Sequence, residues 1–532
     1  MNPIVPKPQI LHEAHGGAVL SDGMLVAADA GCAEVADLLA GELQAATGWK
    51  VHRGEENLPT PGGTIYLGLG SGLPAEGYSL RVGEGRVTIA GGSAAGAFYG
   101  TRTLRQLLPP SLLRSAPAKR VGAVALDGLE VQDSPRFGWR GLLFDVARHY
   151  FPKQFLLRLV DLMSFHKLNV LHLHLTDDQG WRAQIDRYPL LTSVGAWRRE
   201  SPLGHQRSGK KDGKPHGGFY TKADLAELCS YASRRYVTVV PEVDMPGHTQ
   251  AAVAAYPELG NTGQQLEVST DWGISEHVLN MEESTADFCA QVLEEVMDVF
   301  SSPYVHIGGD ECPTAEWEVS PRAQELIERR GLAGPRALQG WFTSRIASAV
   351  AERAKTLICW EEVLDAGAPA GTVIEAWRSQ TAAAAAERAA RQGHQVVMAP
   401  EPWCYFDWAY SDDPAEPLAI RPAISVEQAY SFEPLPAGLP AELAGNVLGA
   451  QCQLWTEYVP SSEHAEYMLW PRACAFAETV WSGPERDWDD FQRRLAAHLE
   501  RLDAIGVNYR PLNGPNPGQA RLWRAGQPPR SA

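Results

Sequence analysis

The sequence predicts an α/β protein: a (β/α)8 barrel over residues 134–510, preceded by a small α+β domain over residues 1–133. Three observations lead there. After Pro135, eight short apolar runs alternate with longer helical patterns, the rhythm of a parallel sheet closed into a barrel. Nearly every one of those runs is followed by carboxylates, tryptophan or both, the residues that a barrel gathers at one face. Before Pro135 the rhythm is mixed, with a hairpin signal between two amphipathic helical stretches.

In the first part, Ala33 to Thr47 reads as a helix and Thr64 to Leu69 as a short strand. Tyr78–Val82 and Arg86–Ala90 flank Gly83-Glu84-Gly85 as a hairpin. Ala94 to Leu108 reads as a helix stopped by Pro109-Pro110, followed by a loose stretch from Ser111 to Arg120. The barrel strands are expected at Gly141–Ala147, Val170–Leu175, Val237–Val240, Tyr304–Ile307, Leu357–Trp360, Val373–Trp377, Val396–Met398 and Val447–Leu454. Helices fit at Lys153–His166, Lys222–Arg234, Ser284–Phe300, Arg336–Ala354 and Thr381–Gln392, with His464–Val480 and Asp487–Ile505 closing the ring. Residues 511–532 are rich in Pro, Gly and Arg and are expected to form an irregular tail.

Composition narrows the function. The chain has 532 residues, 44% of them hydrophobic, enough for two to four domains with large cores. A formal net charge of −17 speaks against nucleic acid as a partner, since no broad basic footprint exists. The basic run from Arg207 to Lys214 is Gly-rich and reads as a solvated loop. No apolar run reaches membrane-spanning length, so no membrane partner is expected. The eight cysteines form no CxxC pair, which fits buried thiols in a reducing compartment. The start, Met1-Asn2-Pro3-Ile4-Val5-Pro6, has no charged segment followed by an apolar one. A cytoplasmic location is the expectation, or secretion if the native N-terminus has been trimmed. Nothing in the sequence sets the oligomeric state.

The sharpest motif is His306-Ile307-Gly308-Gly309-Asp310-Glu311. Adjacent residues of a regular strand point to opposite faces, so two neighbouring acids share a pocket only where the pleat breaks. Two glycines make that break inexpensive. Glycoside cleavage needs a protonated carboxyl near the leaving oxygen and negative charge or a nucleophile near the anomeric carbon. An exposed Asp-Glu pair on a loop is the alternative for an isolated pair; after a barrel strand and Gly-Gly it becomes the weaker reading. The other strand ends carry Arg148-His149, Thr176-Asp177-Asp178, Glu242-Val243-Asp244, Trp360-Glu361-Glu362, Trp377-Arg378, Tyr405-Phe406-Asp407 and Trp455-Thr456-Glu457. Acids to accept hydroxyl hydrogen bonds and tryptophans to cover a ring face suit a carbohydrate pocket.

Several ordered motifs resemble glycoside hydrolase family 20, the β-N-acetylhexosaminidases. They are Gly141-Leu-Leu-Phe-Asp-Val-Ala-Arg148-His149, the stretch from Lys167 through His172, His174 and Asp177-Asp178 to Trp181-Arg182, Pro241-Glu-Val-Asp244-Met-Pro-Gly-His248, and His306 to Glu311. Ala97 to Leu107 resembles the end of that family's accessory domain. The resemblance implies exo-acting, substrate-assisted retaining hydrolysis of terminal GlcNAc or GalNAc on glycans or chitooligosaccharides, with no cofactor and no metal. It implies Glu311 as general acid and then base, and Asp310 as the group orienting the acetamido substituent. Tyr405 would bind the acetamido oxygen, with Trp360, Trp377 and Trp455 around the methyl. Arg148, Asp407 and Glu457 would hold ring hydroxyls, and Asp177, Asp244 and His248 would support the acid. One departure stands out: some relatives carry a tryptophan after the Asp407 position, where Leu418 to Ala423 has none.

Two other readings compete. His172 and His174 share a strand face and could hold zinc with an aspartate in a metal-dependent barrel hydrolase. The chain could also be a carbohydrate-binding protein whose catalysis has decayed, although the intact Asp310-Glu311 pair speaks against that.

Overall fold

The computed structural model describes residues 3–54, 62–117 and 121–515. The expected tail lies outside the described residues from 516 onward.

The N-terminal part is a seven-stranded mixed sheet with two helices packed on its apolar face. The strand order is Ile10–Leu20, Val124–Asp133, Tyr78–Gly83, Arg86–Gly91, Thr64–Leu69, Leu25–Ala28 and His52–Gly54. The helices are Ala33–Thr47 and Ala94–Leu107. The second begins where Ser93 accepts the amide hydrogen of Ala95. It ends at Leu108, which is extended, as a residue before proline prefers to be.

Eight parallel strands close the barrel: β1 Trp139–Asp145, β2 Val170–His174, β3 Thr238–Glu242, β4 Tyr304–His306, β5 Thr356–Trp360, β6 Val373–Ala376, β7 Val396–Met398 and β8 Val447–Leu454, which pairs back to β1. The predicted strand positions agree to within about two residues, the usual uncertainty of element ends. The lumen changes character along the strands. Trp139, Val170, Val240, Ile358, Val373 and Val397 form a small apolar cluster. Two residues further along, on the same strand face, stand His172, Glu242, Trp360 and Glu375. The buried core is thus apolar at one level and polar just below the catalytic face.

One expected helix is two. Ser462–Leu469 and Arg472–Trp481 are separated at Trp470-Pro471, where Trp470 is extended and Pro471 has no amide hydrogen to continue the ladder. No helix among the described residues is long and apolar enough to cross a membrane. All eight cysteines are buried and unpaired.

The two parts share a polar seam. The fully buried Lys167 reaches Asp133 and the Tyr78 hydroxyl, each at 2.9 Å. Trp481 belongs to the sheet's own core and donates its Nε1–H to Asp133 at 2.9 Å. Arg140, also fully buried, donates to both oxygens of Glu76, at 2.7 and 3.0 Å.

Candidate active site

Past His306 the pleat breaks as the glycines allow. Gly308 and Gly309 have φ of +64° and +90°. A Cβ on Gly308 would lie 1.8 Å from Asp244 Oδ1. The Gly309 amide donates to that same oxygen at 3.2 Å, and its carbonyl accepts from Gln339 Nε2 at 2.8 Å, so the turn is pinned on both sides. Glu311 itself stands at φ +40°, a conformation costing a non-glycine residue roughly 1–3 kcal/mol. The result is two adjacent carboxylates in one cavity. The Asp310 side chain is 13% exposed and sits deep; that of Glu311 is 37% exposed, at the mouth.

The cavity measures about 200 Å³ and is lined by Arg148, Asp310, Glu311, Trp360, Trp377, Tyr405, Asp407, Trp455 and Glu457, all nine of the pocket residues expected from the sequence. It is smaller than the ~300–1,000 Å³ of drug-sized ligand sites, which suits one sugar ring. Trp377 and Tyr405 lie nearly parallel, centroids 6.0 Å apart. Trp360 and Trp455 meet at the same separation. Trp377 donates its Nε1–H to Glu362 at 3.1 Å, and Trp360 donates its own to Glu242 at 3.0 Å. Each of these indoles lines the cavity with its polar edge already satisfied.

Arg148 is clamped before any ligand arrives. Its guanidinium lies 2.7 Å from Asp177 and 3.4 Å from Asp145, donates to Gln179 at 3.2 Å, and stacks 5.0 Å over Trp455. The opposite wall is unsatisfied. Among the described residues, both carboxylate oxygens of Asp407 and Asp310 Oδ1 are buried with no hydrogen-bond partner. Such groups cost about 1–3 kcal/mol each when left unpaired, so these two acids can accept hydrogen bonds from a molecule in the cavity they line. Burial pushes Asp407 well above the usual carboxylate range, and Glu457 adds to it. Burial likewise raises Asp310, against the pull of His248 and with the help of Glu311. Glu362 is pushed up to about 8 by burial and by Asp310.

Behind the pair stands His248. Its Nδ1 lies 3.3 Å from Asp177 and 3.5 Å from Asp178; its Nε2 lies 3.6 Å from Glu311 and 3.7 Å from Asp310. Burial opposes its charge, but Asp177, Asp178 and Glu311 outweigh that and raise it well above the ordinary histidine value. Asp244 is buried under the Gly-Gly turn, raised by burial and by Asp310. It abuts Asp310 and His248.

Glu401, Trp408 and Ile420 also line the cavity and were not singled out as site residues. Trp408 belongs to an aromatic run that reads equally as core. Ile420 ends the loop run Leu418-Ala419-Ile420, whose aliphatic character carries no functional signal. It stands in the Leu418–Ala423 stretch and lines the cavity beside Trp408. His172 and His174 do share the lumen face, but carboxylates engage them. His174 lies between Glu242 and Asp177, at 2.5 and 2.9 Å, and His172 lies 3.0 Å from Glu242.

Residues 137–484 match the model of the glycosyl hydrolase family 20 catalytic domain, and residues 1–134 match domain 2 of the same family. The chain belongs to glycosyl hydrolase family 20. Membership makes it a glycoside hydrolase, and the closed parallel barrel behind a small domain is shared with solved structures of the family. A family 20 β-N-acetylhexosaminidase from Streptomyces coelicolor A3(2) superposes with a TM-score of 0.82 at 32% identity, covering 96% of this chain and 97% of that one. A family 20 exo-β-N-acetylglucosaminidase from Vibrio harveyi, in complex with N-acetylglucosamine, gives 0.85 at 31% identity over 96% and 78% of the two chains. The β-N-acetylhexosaminidase of Cellulomonas fimi is 34% identical, covering 97% of this chain and 98% of that protein. A β-hexosaminidase of Porphyromonas gingivalis is 38% identical over 95% of this chain, which spans 64% of that longer protein.

Proposed function

We infer that this family 20 hydrolase is an exo-acting β-N-acetylhexosaminidase, removing terminal non-reducing GlcNAc or GalNAc from glycans or chitooligosaccharides with retention of configuration. The observation that carries the reading is the aromatic box of Trp360, Trp377, Trp455 and Tyr405 lining the same small cavity as Asp310. An apolar box beside a carboxylate suits an acetamido group: a methyl for the indoles, an N–H for the acid and a carbonyl oxygen for the Tyr405 hydroxyl.

The chemistry follows. The acetamido oxygen attacks the anomeric carbon as the glycosidic oxygen leaves with the proton of Glu311, giving a bicyclic oxazolinium ion. Glu311, now a carboxylate, takes a proton from water, whose oxygen attacks the anomeric carbon and reopens the ring. Asp310 accepts from the acetamido N–H and turns its oxygen toward that carbon, an orientation worth up to roughly 7–11 kcal/mol at the extreme of effective molarity. Burial makes the Asp310 anion costly in the free site, so its charge is worth most when a cation forms beside it. Arg148, Asp407 and Glu457 hold ring hydroxyls; the unsatisfied oxygens of Asp407 support that role. His248 and Asp177 support Glu311, and Asp244 supports Asp310 through the turn beneath it.

The test compares 4-nitrophenyl glycosides of GlcNAc, GalNAc and glucose. Both acetamido sugars should turn over, the glucoside orders of magnitude more slowly, and a thiazoline analogue of the intermediate should inhibit tightly. Efficient glucoside turnover, with a 2-deoxy-2-fluoro sugar trapped as an ester on an Asp or Glu, would exclude substrate assistance.

A further inference from the structure

We propose that Glu242, in the barrel lumen, is a positioning residue that joins the wall of the acetamido pocket to the hydrogen-bonded chain behind Glu311. The proposal rests on the reading of Asp310 and Glu311 given above. Glu242 is fully buried at the end of β3. One oxygen, Oε1, accepts from Trp360 Nε1 at 3.0 Å. The other, Oε2, accepts from His174 Nδ1 at 2.5 Å and lies 3.0 Å from His172 Nε2.

His174 carries the link onward. Its Nε2 reaches Asp177 Oδ2 at 2.9 Å, so both ring nitrogens face carboxylates and both must carry hydrogen. Asp177 also accepts the Asp178 amide hydrogen at 2.6 Å and faces Arg148, at 2.7 Å, and His248, at 3.3 Å, whose far nitrogen faces Glu311. One carboxylate therefore sets where the Trp360 indole lies and how His174, Asp177 and His248 are aligned.

The other groups around Glu242 leave it this role. His306 Nδ1 is 3.0 Å from Oε1, but that nitrogen accepts the Gly308 amide hydrogen and has none to give. Gln451 donates to His172 Nδ1 at 2.9 Å, which leaves the His172 proton on the side of Glu242. Glu375 accepts from Gln451 and Gln453, both at 2.7 Å, and stands 3.7 Å from His172 and from His306. Asp244 abuts His174 and Asp177. Burial opposes charge on Glu242, but His174, with hydrogen on both ring nitrogens, leads the neighbours that hold the carboxyl well below the usual range. The position needs an acceptor on both oxygens. Glutamine would set its NH2 against the N–H of either Trp360 or His174.

The experiment uses the full chain with Glu242→Gln and His174→Gln, assayed on 4-nitrophenyl-GlcNAc and on N,N′-diacetylchitobiose, a poor leaving group. Both variants should lose about 10-fold to 100-fold in kcat on the disaccharide, the usual cost of disturbing an orienting partner. The loss on the activated substrate should be several-fold smaller. Thiazoline binding should weaken more in Glu242→Gln, which removes the acceptor of the Trp360 N–H, than in His174→Gln, which removes only an edge contact with Trp455. In a His248→Ala background, His174→Gln should add no further leaving-group-dependent loss. Equal losses on the two substrates, or losses that multiply in the double variant, overturn the proposal. If Glu242→Gln does not fold, His174→Gln and the double variant decide it. A wild-type chain inert on both substrates would instead fail the hexosaminidase reading.

Discussion

Gly308→Ala is the most exacting test of the site geometry. Two costs add. Alanine at φ +64° loses about 1 kcal/mol or more relative to glycine. Its Cβ would also stand 1.8 Å from Asp244 Oδ1, against the 3.4 Å at which ordinary contact begins, so about 1.6 Å of movement is required. Asp244 cannot swing aside freely, because it is buried and holds the Gly309 amide. The turn carrying Asp310 and Glu311 must move instead, and displacement by about 1 Å typically costs 10²-fold in rate. Overpacking adds about 1–3 kcal/mol of destabilisation. The expected outcome is a lower melting midpoint and at least a hundredfold loss of kcat on 4-nitrophenyl-GlcNAc. Gly309→Ala is the internal comparison: its Cβ would meet Val363 Cγ1 at 3.0 Å, so strain dominates and the loss should be smaller. Gly308→Ala with wild-type turnover and melting, or the reverse ranking of the two variants, would refute the argument that this turn sets the carboxylates.

Glu311→Gln should cost about 10²–10⁴ in turnover for poor leaving groups and less for activated ones; a flat leaving-group series would remove Glu311 from the acid role. Asp310 acts as an anion, and burial raises its carboxyl, so activity should be lost as pH falls through a point above the ordinary carboxylate range. Asp310→Asn should lower kcat more than it raises KM and abolish that acidic limb in a pH–rate profile. Glu362, pushed up to about 8, is neutral at pH 6. There Glu362→Gln should keep turnover within about threefold, whereas Glu362→Ala, leaving the Trp377 N–H without its partner, should raise KM by about tenfold; equal effects would contradict a neutral Glu362.

The barrel was legible because its strands are short apolar runs separated by amphipathic helices, and because the carboxylates and tryptophans follow those runs directly. The Gly-Gly break makes the adjacency of Asp310 and Glu311 interpretable from the sequence alone. The accessory sheet was half legible. Ile10–Leu20 is an edge strand with a register shift between Glu13 and Gly17, so its alternation is interrupted. Val124–Asp133 does alternate in burial, yet the hydrophobic period in Val-Ala-Leu-Asp-Gly-Leu-Glu-Val is diluted by Ala and Gly. The helix break at Pro471 follows from a rule about proline that the apolar period around it masked. Glu242 and His174 stand out in the sequence as a strand-end acid and a possible metal ligand, but the link between them does not. In a barrel whose lumen turns polar, a buried carboxylate is indistinguishable in sequence from an exposed one.

The seam between sheet and barrel bears on how the molecule can come apart. Lys167 and Arg140 are barrel cations whose counter-charges, Asp133 and Glu76, belong to the sheet. Trp481 is a barrel side chain embedded in the sheet's apolar interior. Opening that seam would break both ion pairs and expose the indole of Trp481, with the apolar surface packed around it, to water. The sheet is therefore not a detachable appendage but a second half of one cooperative body. Calorimetry should record a single melting transition, and a barrel begun after residue 134 should be unstable even though every residue of the sugar pocket lies beyond that point.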